Sequence, residues 1–234
     1  MVENFVSYMF RTISIIGFAV TFVGITAHCT AFTHGKGQQW RPINVLKKLV
    51  HLFTLLFIER KLNLTKVVRK LVYLVLLIHF VILAVTGFFP RLVLGKQISG
   101  YWLMLHVTFA PVFTVCLAVL AVMWAHTFRF NSSDWALLRH TLQRIIQRFT
   151  GLKTNAESLR RNFHFGQKTL FWSIILLALL LILSIVLAMF PLFDTNQQKL
   201  LLEAHRYTAL VFVLVAAIHT YLVVRTQMKK YRQI

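Results

Sequence analysis

Five stretches of this chain, at about 12–33, 71–89, 101–126, 169–190 and 200–225, each run for roughly twenty residues with few charges, and charge collects between them. A hydrocarbon layer about 30 Å thick is crossed by a helix of about 20 apolar residues. Lipid has no water to satisfy backbone groups, so each run must bond internally as a helix. The fold class predicted is all-α integral membrane with five transmembrane helices. A mean hydropathy of +0.69 lies outside the range of soluble domains, and the runs leave no room for a separate soluble one.

The formal charge of +20 could point to nucleic acid, but its distribution argues otherwise. Nine Lys/Arg lie between His34 and Lys70, eight between Thr127 and Lys168, and the tail adds Arg225, Lys229, Lys230 and Arg232. The two alternate connections are poor in cations: Arg91 and Lys96 in one, Lys199 beside Asp194 and Glu203 in the other. This is the positive-inside pattern, so we expect the N-terminus outside, the C-terminus in the cytoplasm, and a multi-pass protein of a bacterial-type inner membrane. Anionic headgroups account for much of the remaining charge, and no nucleic-acid partner is expected. Residues 45–61 and about 133–148 read as amphipathic helices lying on the membrane. Pro90 is predicted to end the second span and Pro111 to kink the third.

Cys29 and Cys116 sit far apart in apolar runs, with no CxxCH and no CxxC cluster. Covalent haem attachment and iron–sulfur ligation within the chain are therefore not expected. The start, MVENFVSYMFR, lacks the basic region and cleavage site of a signal peptide.

The chemistry rests on histidines. His205 and His219 lie fourteen residues apart in the last run. That spacing puts them within roughly 40° of one helix face and roughly 21 Å apart along it. A polar group in lipid is costly and usually functional. Such a histidine can simply hydrogen-bond a neighbouring helix, but two on one face, with others on other spans, suit two stacked haems. Haem b takes two axial ligands from different helices at similar depth. His106 and His205 each lie a few residues inside the outer end of their spans, so they pair as ligands of an outer haem. His219 is the inner ligand. Its partner is His79, the remaining mid-span histidine, although His79 lies shallower; His28, at the inner end of the first span, competes. His126 is twenty residues from His106, about 200° round the helix, and reads as interfacial.

Taken together, TGF at 86–88, His106, FGQKTLFW at 165–172 and the His205/His219 pair resemble the membrane di-haem cytochrome b family that includes the gamma subunit of formate dehydrogenase and the cytochrome b subunits of hydrogenases. The similarity covers about Lys66–Tyr231, within a domain taken as residues 66–234. It implies a four-helix haem-binding bundle there, with residues 1–65 as an extra N-terminal transmembrane helix and a basic interfacial segment. It implies His106 and His205 on one haem and His219 on another. It also implies a quinone site, for menaquinone or ubiquinone, in a turn at His164, Phe165, Gly166, Gln167 and Lys168; His164 stands where the family has asparagine. The family's remaining inner ligand falls on Tyr73 here, so one haem b is possible where two are expected.

The function expected is electron transfer through b-type haems between a quinone pool and an extracytoplasmic redox subunit, an iron–sulfur or multihaem cytochrome protein. No substrate-converting site of its own is visible. The alternatives are a non-redox scaffold or proton-relay transporter, and a transmembrane reductase fed by NAD(P)H. The second lacks any GxGxxG segment, and no internal repeat supports a transporter.

Overall fold

The computed structural model describes residues 2–33, 64–130, 135, 158–191 and 193–230. Among these are five long helices, which we number α1 (Val2–Thr33), α2 (Leu64–Leu92), α3 (Gly100–Ala125), α4 (Ser158–Met189) and α5 (Thr195–Lys230). All five are long and apolar enough to cross a membrane, over Ser7–His28, Val67–Leu92, Gly100–Ala125, Gly166–Met189 and Thr195–Val223. The protein is an all-α, multi-pass membrane protein. The interfacial helices expected at 45–61 and 133–148 fall outside the described residues, apart from Trp135.

The surface confirms lipid as the solvent. Ile16, Val20, Leu103, Val122 and Leu179 are all exposed, on three of the helices. Apolar residues spread round helices in this way suit hydrocarbon and would be untenable in water. Hydroxyls inside the spans bond back to their own helix: Thr12 donates to Tyr8 O, Thr108 to Met104 O, Thr114 to Ala110 O and Thr220 to Ala216 O, at 2.8–3.0 Å. The charged pair inside the last span, Glu203 and Arg206, is joined by a salt bridge one turn apart.

Three boundaries differ from the sequence reading. Pro90 does not end α2, which continues to Leu92. The stop is Gly95, whose φ of +65° turns the chain while Lys96 N–H returns to Pro90 O at 3.0 Å. A missing N–H this near a helix end removes only one bond, so proline is tolerated. The segment 164–168 is not a turn; it lies within α4, which begins at Ser158. Helix α5 starts at Thr195, earlier than the apolar run, because Asp194 caps it. Asp194 Oδ1 accepts from Thr195 N–H at 2.7 Å, and the Gln197 side chain accepts from Asp194 N–H at 3.3 Å, the N3-to-N-cap half of a capping box.

The chain divides into two compact units, Met1–Met123 and Trp124–Ile234. The first holds α1, α2 and nearly all of α3. In it Phe89 packs on Trp102, Phe80 on Phe113 and His79 on Phe109, successive rungs of an antiparallel α2–α3 hairpin. The second holds α4 and α5, joined by a short turn. Its entry is pinned to α4: Phe128 stacks on Phe171 at 4.4 Å, and Trp172 Nε1–H donates to Phe128 O at 3.0 Å.

Losing an N-cap side chain costs about 1 kcal/mol, close to fivefold in a local opening equilibrium. Asp194→Ala is expected to speed amide hydrogen exchange in the first turn of α5 about fivefold, with the rest of α5 unchanged, as read by mass spectrometry in detergent micelles.

Candidate functional site: two hydroxyl-held histidines

Among the described residues, each unit contains a histidine bound by a hydroxyl on the preceding helix. On α2, Thr86 Oγ1 lies 2.9 Å from His106 Nδ1 on α3. On α4, Ser184 Oγ lies 3.3 Å from His205 Nδ1 on α5, and Leu181 O lies 3.1 Å from the same nitrogen.

With each hydroxyl bonded back to its own helix, the proton count assigns both tautomers. A hydroxyl has one proton. Thr86 gives its proton to Ile82 O at 2.8 Å, and Ser184 gives its own to Leu181 O at 2.9 Å. Both oxygens therefore accept from the imidazole, and Leu181 O can only accept. Nδ1 carries the hydrogen in His106 and in His205, and Nε2 carries the lone pair. This is the state a metal-ligating histidine needs: one nitrogen oriented by an acceptor on the protein, the other basic. The donor set therefore fits a group whose iron would be bound by imidazole Nε2.

Packing reinforces the first of these bonds. A Cβ at Gly87 would stand 3.3 Å from His106 Cε1 and 3.7 Å from Nδ1, so only glycine lets the ring lie against α2 without displacement. Thr86 is 3% exposed and Ser184 8%, so both bonds are shielded. TGF thus has a part for each of its first two residues, the acceptor and the gap.

The remaining candidates are placed differently. His79 Nδ1–H donates to Val75 O in its own helix at 2.7 Å, and its ring meets Phe109 edge-on at 5.2 Å. It shares the α3-facing side of α2 with Thr86 but lies seven residues away, roughly 10 Å along the axis. His219 lies fourteen residues, roughly 21 Å, from His205. Its Nδ1 is buried and has no hydrogen-bond partner among the described residues. In the antiparallel register set by residues 181 and 184 against His205, the positions opposite His219 are about 167–170. Gln167 and Lys168 are half-buried on this stretch, and a Cβ at Gly166 would meet open space. His164 is helical. His28 is exposed near the end of α1, and His126 is exposed just after α3.

The family model for prokaryotic cytochrome b561 matches residues 74–233. The chain belongs to the prokaryotic cytochrome b561 family. It is therefore a membrane cytochrome b that binds b-type haem and serves electron transport. No curated protein and no solved structure matched it. The family match takes in His79, His106, His205 and His219, and leaves α1 and the first residues of α2 outside.

Sequence reasoning noted TGF only as a mark of resemblance and overlooked Ser184 and Leu181. A signal was present: a hydroxyl stands 20 residues before His106 and 21 before His205, each across one short connection.

Interhelical hydrogen bonds in membranes contribute about 0.6 kcal/mol on average and up to about 1.7. Thr86→Val is expected to lower unfolding free energy within that range in a mixed-micelle denaturation titration. Gly87→Leu, which drives a side chain into the His106 ring, is expected to exceed it.

Proposed function

We propose that His106 and His205 are the axial ligands of one haem b, the outer one, and that His219 is a ligand of a second, inner haem. The observation that carries the reading is the same hydroxyl–imidazole arrangement built twice, once in each unit, each leaving Nε2 as the coordinating nitrogen. When bound, haem b supplies a one-electron carrier in the low-dielectric interior. The chain's contribution is to hold the imidazoles. Thr86, Ser184 and Leu181 accept from Nδ1–H, fix the ring planes and raise the basicity of Nε2. The haem-binding bundle is residues 66–234, with residues 1–65 as an addition.

For the second ligand of the inner haem we propose His79, which is half-buried in the helical hairpin and has its Nδ1–H satisfied by Val75 O. His28 is the alternative, favoured by depth. It lies fourteen residues along α1 from Ser14, which sits at the level of Phe88, so its spacing matches that between His205 and His219.

In this reading electrons pass between a quinone, menaquinone or ubiquinone, near the inner haem and an extracytoplasmic redox subunit at the opposite surface. His164, Gly166, Gln167 and Lys168 form the quinone site. Two observations support it: this stretch of α4 stands opposite His219 in register, and the buried Nδ1 of His219 has no acceptor among the described residues, which a quinone oxygen would supply. The orientation in this reading has the N-terminus outside and the C-terminus in the cytoplasm, which the charge distribution of the connections supports. The partner in this reading is an iron–sulfur or multihaem cytochrome subunit.

Haem per polypeptide, measured by pyridine haemochrome on purified protein, tests the ligands. His106→Ala and His205→Ala are each expected to remove one and the same haem, and His219→Ala the other. Of His79→Ala and His28→Ala, the first is expected to reproduce the His219→Ala loss. Full haem content in both His106→Ala and His205→Ala would refute the assignment.

A further inference from the structure

Helix α1 lies outside the family-matched stretch, yet it grips α2 immediately beside the residues that hold His106. Phe10, Ser14 and Phe18 recur at every fourth position and so share one face of α1. Phe88 of α2 seats on that face. Its ring lies nearly parallel to Phe10, with centroids 6.4 Å apart and planes at 14°, and edge-on to Phe18 at 5.4 Å. Further along the same contact, the Arg91 guanidinium lies over the Phe10 ring at 5.9 Å. The Arg11 guanidinium reaches within 3.7 Å of where a Cβ on Gly95 would stand.

Ser14 is fully buried at the centre of this face, and its hydroxyl has no partner among the described residues. A buried, unsatisfied hydroxyl is unfavourable, so hydrogen bonding does not explain a serine there. Its size does: a small side chain between two phenylalanines leaves a notch in which the Phe88 ring can lie close.

Thr86 and Phe88 are two residues apart, so they point about 200° away from each other round α2. One short stretch therefore has α1 on one side and His106 on the other, with Gly87 between them, where an added Cβ would stand 3.3 Å from the imidazole. A helix is stiff over two residues, so a shift of Phe88 moves Thr86 Oγ1 with it.

We propose that α1 is a positioning element for the outer haem ligand, in which the notch at Ser14 seats Phe88 and thereby sets the Thr86–His106 hydrogen bond. This rests on the reading of His106 as an axial ligand. The physical consequence has a direction. A longer Nδ1–H···Oγ1 bond makes Nε2 less basic, which favours the ferrous over the ferric state.

The test uses the full-length haem-loaded protein and follows the haem component that His106→Ala removes. Ser14→Leu fills the notch, Phe88→Ala empties it, and Ser14→Ala keeps its size while removing the hydroxyl. In Ser14→Leu and Phe88→Ala that component is expected to stay bound, with its reduced-to-oxidised ratio at a fixed ambient potential raised about three- to tenfold; tenfold is about 59 mV for one electron. Its low-spin paramagnetic resonance signal should move as well, while Ser14→Ala titrates as wild type. Phe10→Ala, which removes the stacking ring, carries the same expectation should Ser14→Leu fail to insert. Wild-type potential and signal in haem-loaded Phe88→Ala and Ser14→Leu would overturn the role of α1, as would a shift in Ser14→Ala equal to that in Ser14→Leu. Retention of both haems by His106→Ala would refute the ligand reading instead, and that outcome is read independently of the α1 variants.

Discussion

An imidazole in a membrane must dispose of a proton, and that requirement organises both units. A neutral histidine has one N–H and one lone pair. In hydrocarbon neither can turn to water, so an unmatched nitrogen costs several kcal/mol. In each unit the N–H is placed by a hydroxyl whose own proton already belongs to its helix, Thr86 to Ile82 O and Ser184 to Leu181 O. A serine or threonine in a span ordinarily bonds only backward, as Thr12, Thr108, Thr114 and Thr220 do. Thr86 and Ser184 bond backward and still present a lone pair sideways. The backward bond is what turns a two-way group into an acceptor, and the acceptor is what leaves Nε2 as the basic nitrogen.

Specificity of position comes from packing. The hydroxyl can orient the ring only if the helices approach closely, and Gly87 allows that approach at His106. On α5 no glycine is involved. Leu181 O reaches His205 directly, and Ser184, one turn along, closes the other side. The two histidines have the same tautomer by different means: α2 uses a small residue beside a threonine, α4 a serine beside an exposed carbonyl.

The membrane-helical fold was legible because it depends on composition over twenty-residue windows, which survives any uncertainty in packing. The helix ends were less so. The start of α5 depends on Asp194 and Gln197, which lie outside the apolar run, and the polar stretch 158–168 extends α4 beyond the hydrophobic signal. His106 and His205 stood out as polar residues in apolar runs. Their acceptors did not, because threonine and serine are common in spans, and only the pairing of antiparallel helices decides which of them meets a ring. Gly87 was visible only as part of a family mark. Its reason, a Cβ 3.3 Å from an imidazole carbon, is a property of two helices together.

The spacing of the histidines carries a further constraint. On α5 the step from His205 to His219 is about four turns, whereas on α2 the step from Thr86 to His79 is about two. Two helices that serve the same pair of haems should step equally, unless tilt makes up the difference. A tilt of 20–40° shortens the rise of a helix along the membrane normal by only about 6–23%. Tilt within that range cannot turn a step of four turns into one of two. The four-turn step is matched in the first unit by α1, from Ser14 to His28, and on α2 by the thirteen residues from Thr86 back to Tyr73, a phenol. The added helix thus places a histidine at the depth where the family-matched hairpin has none.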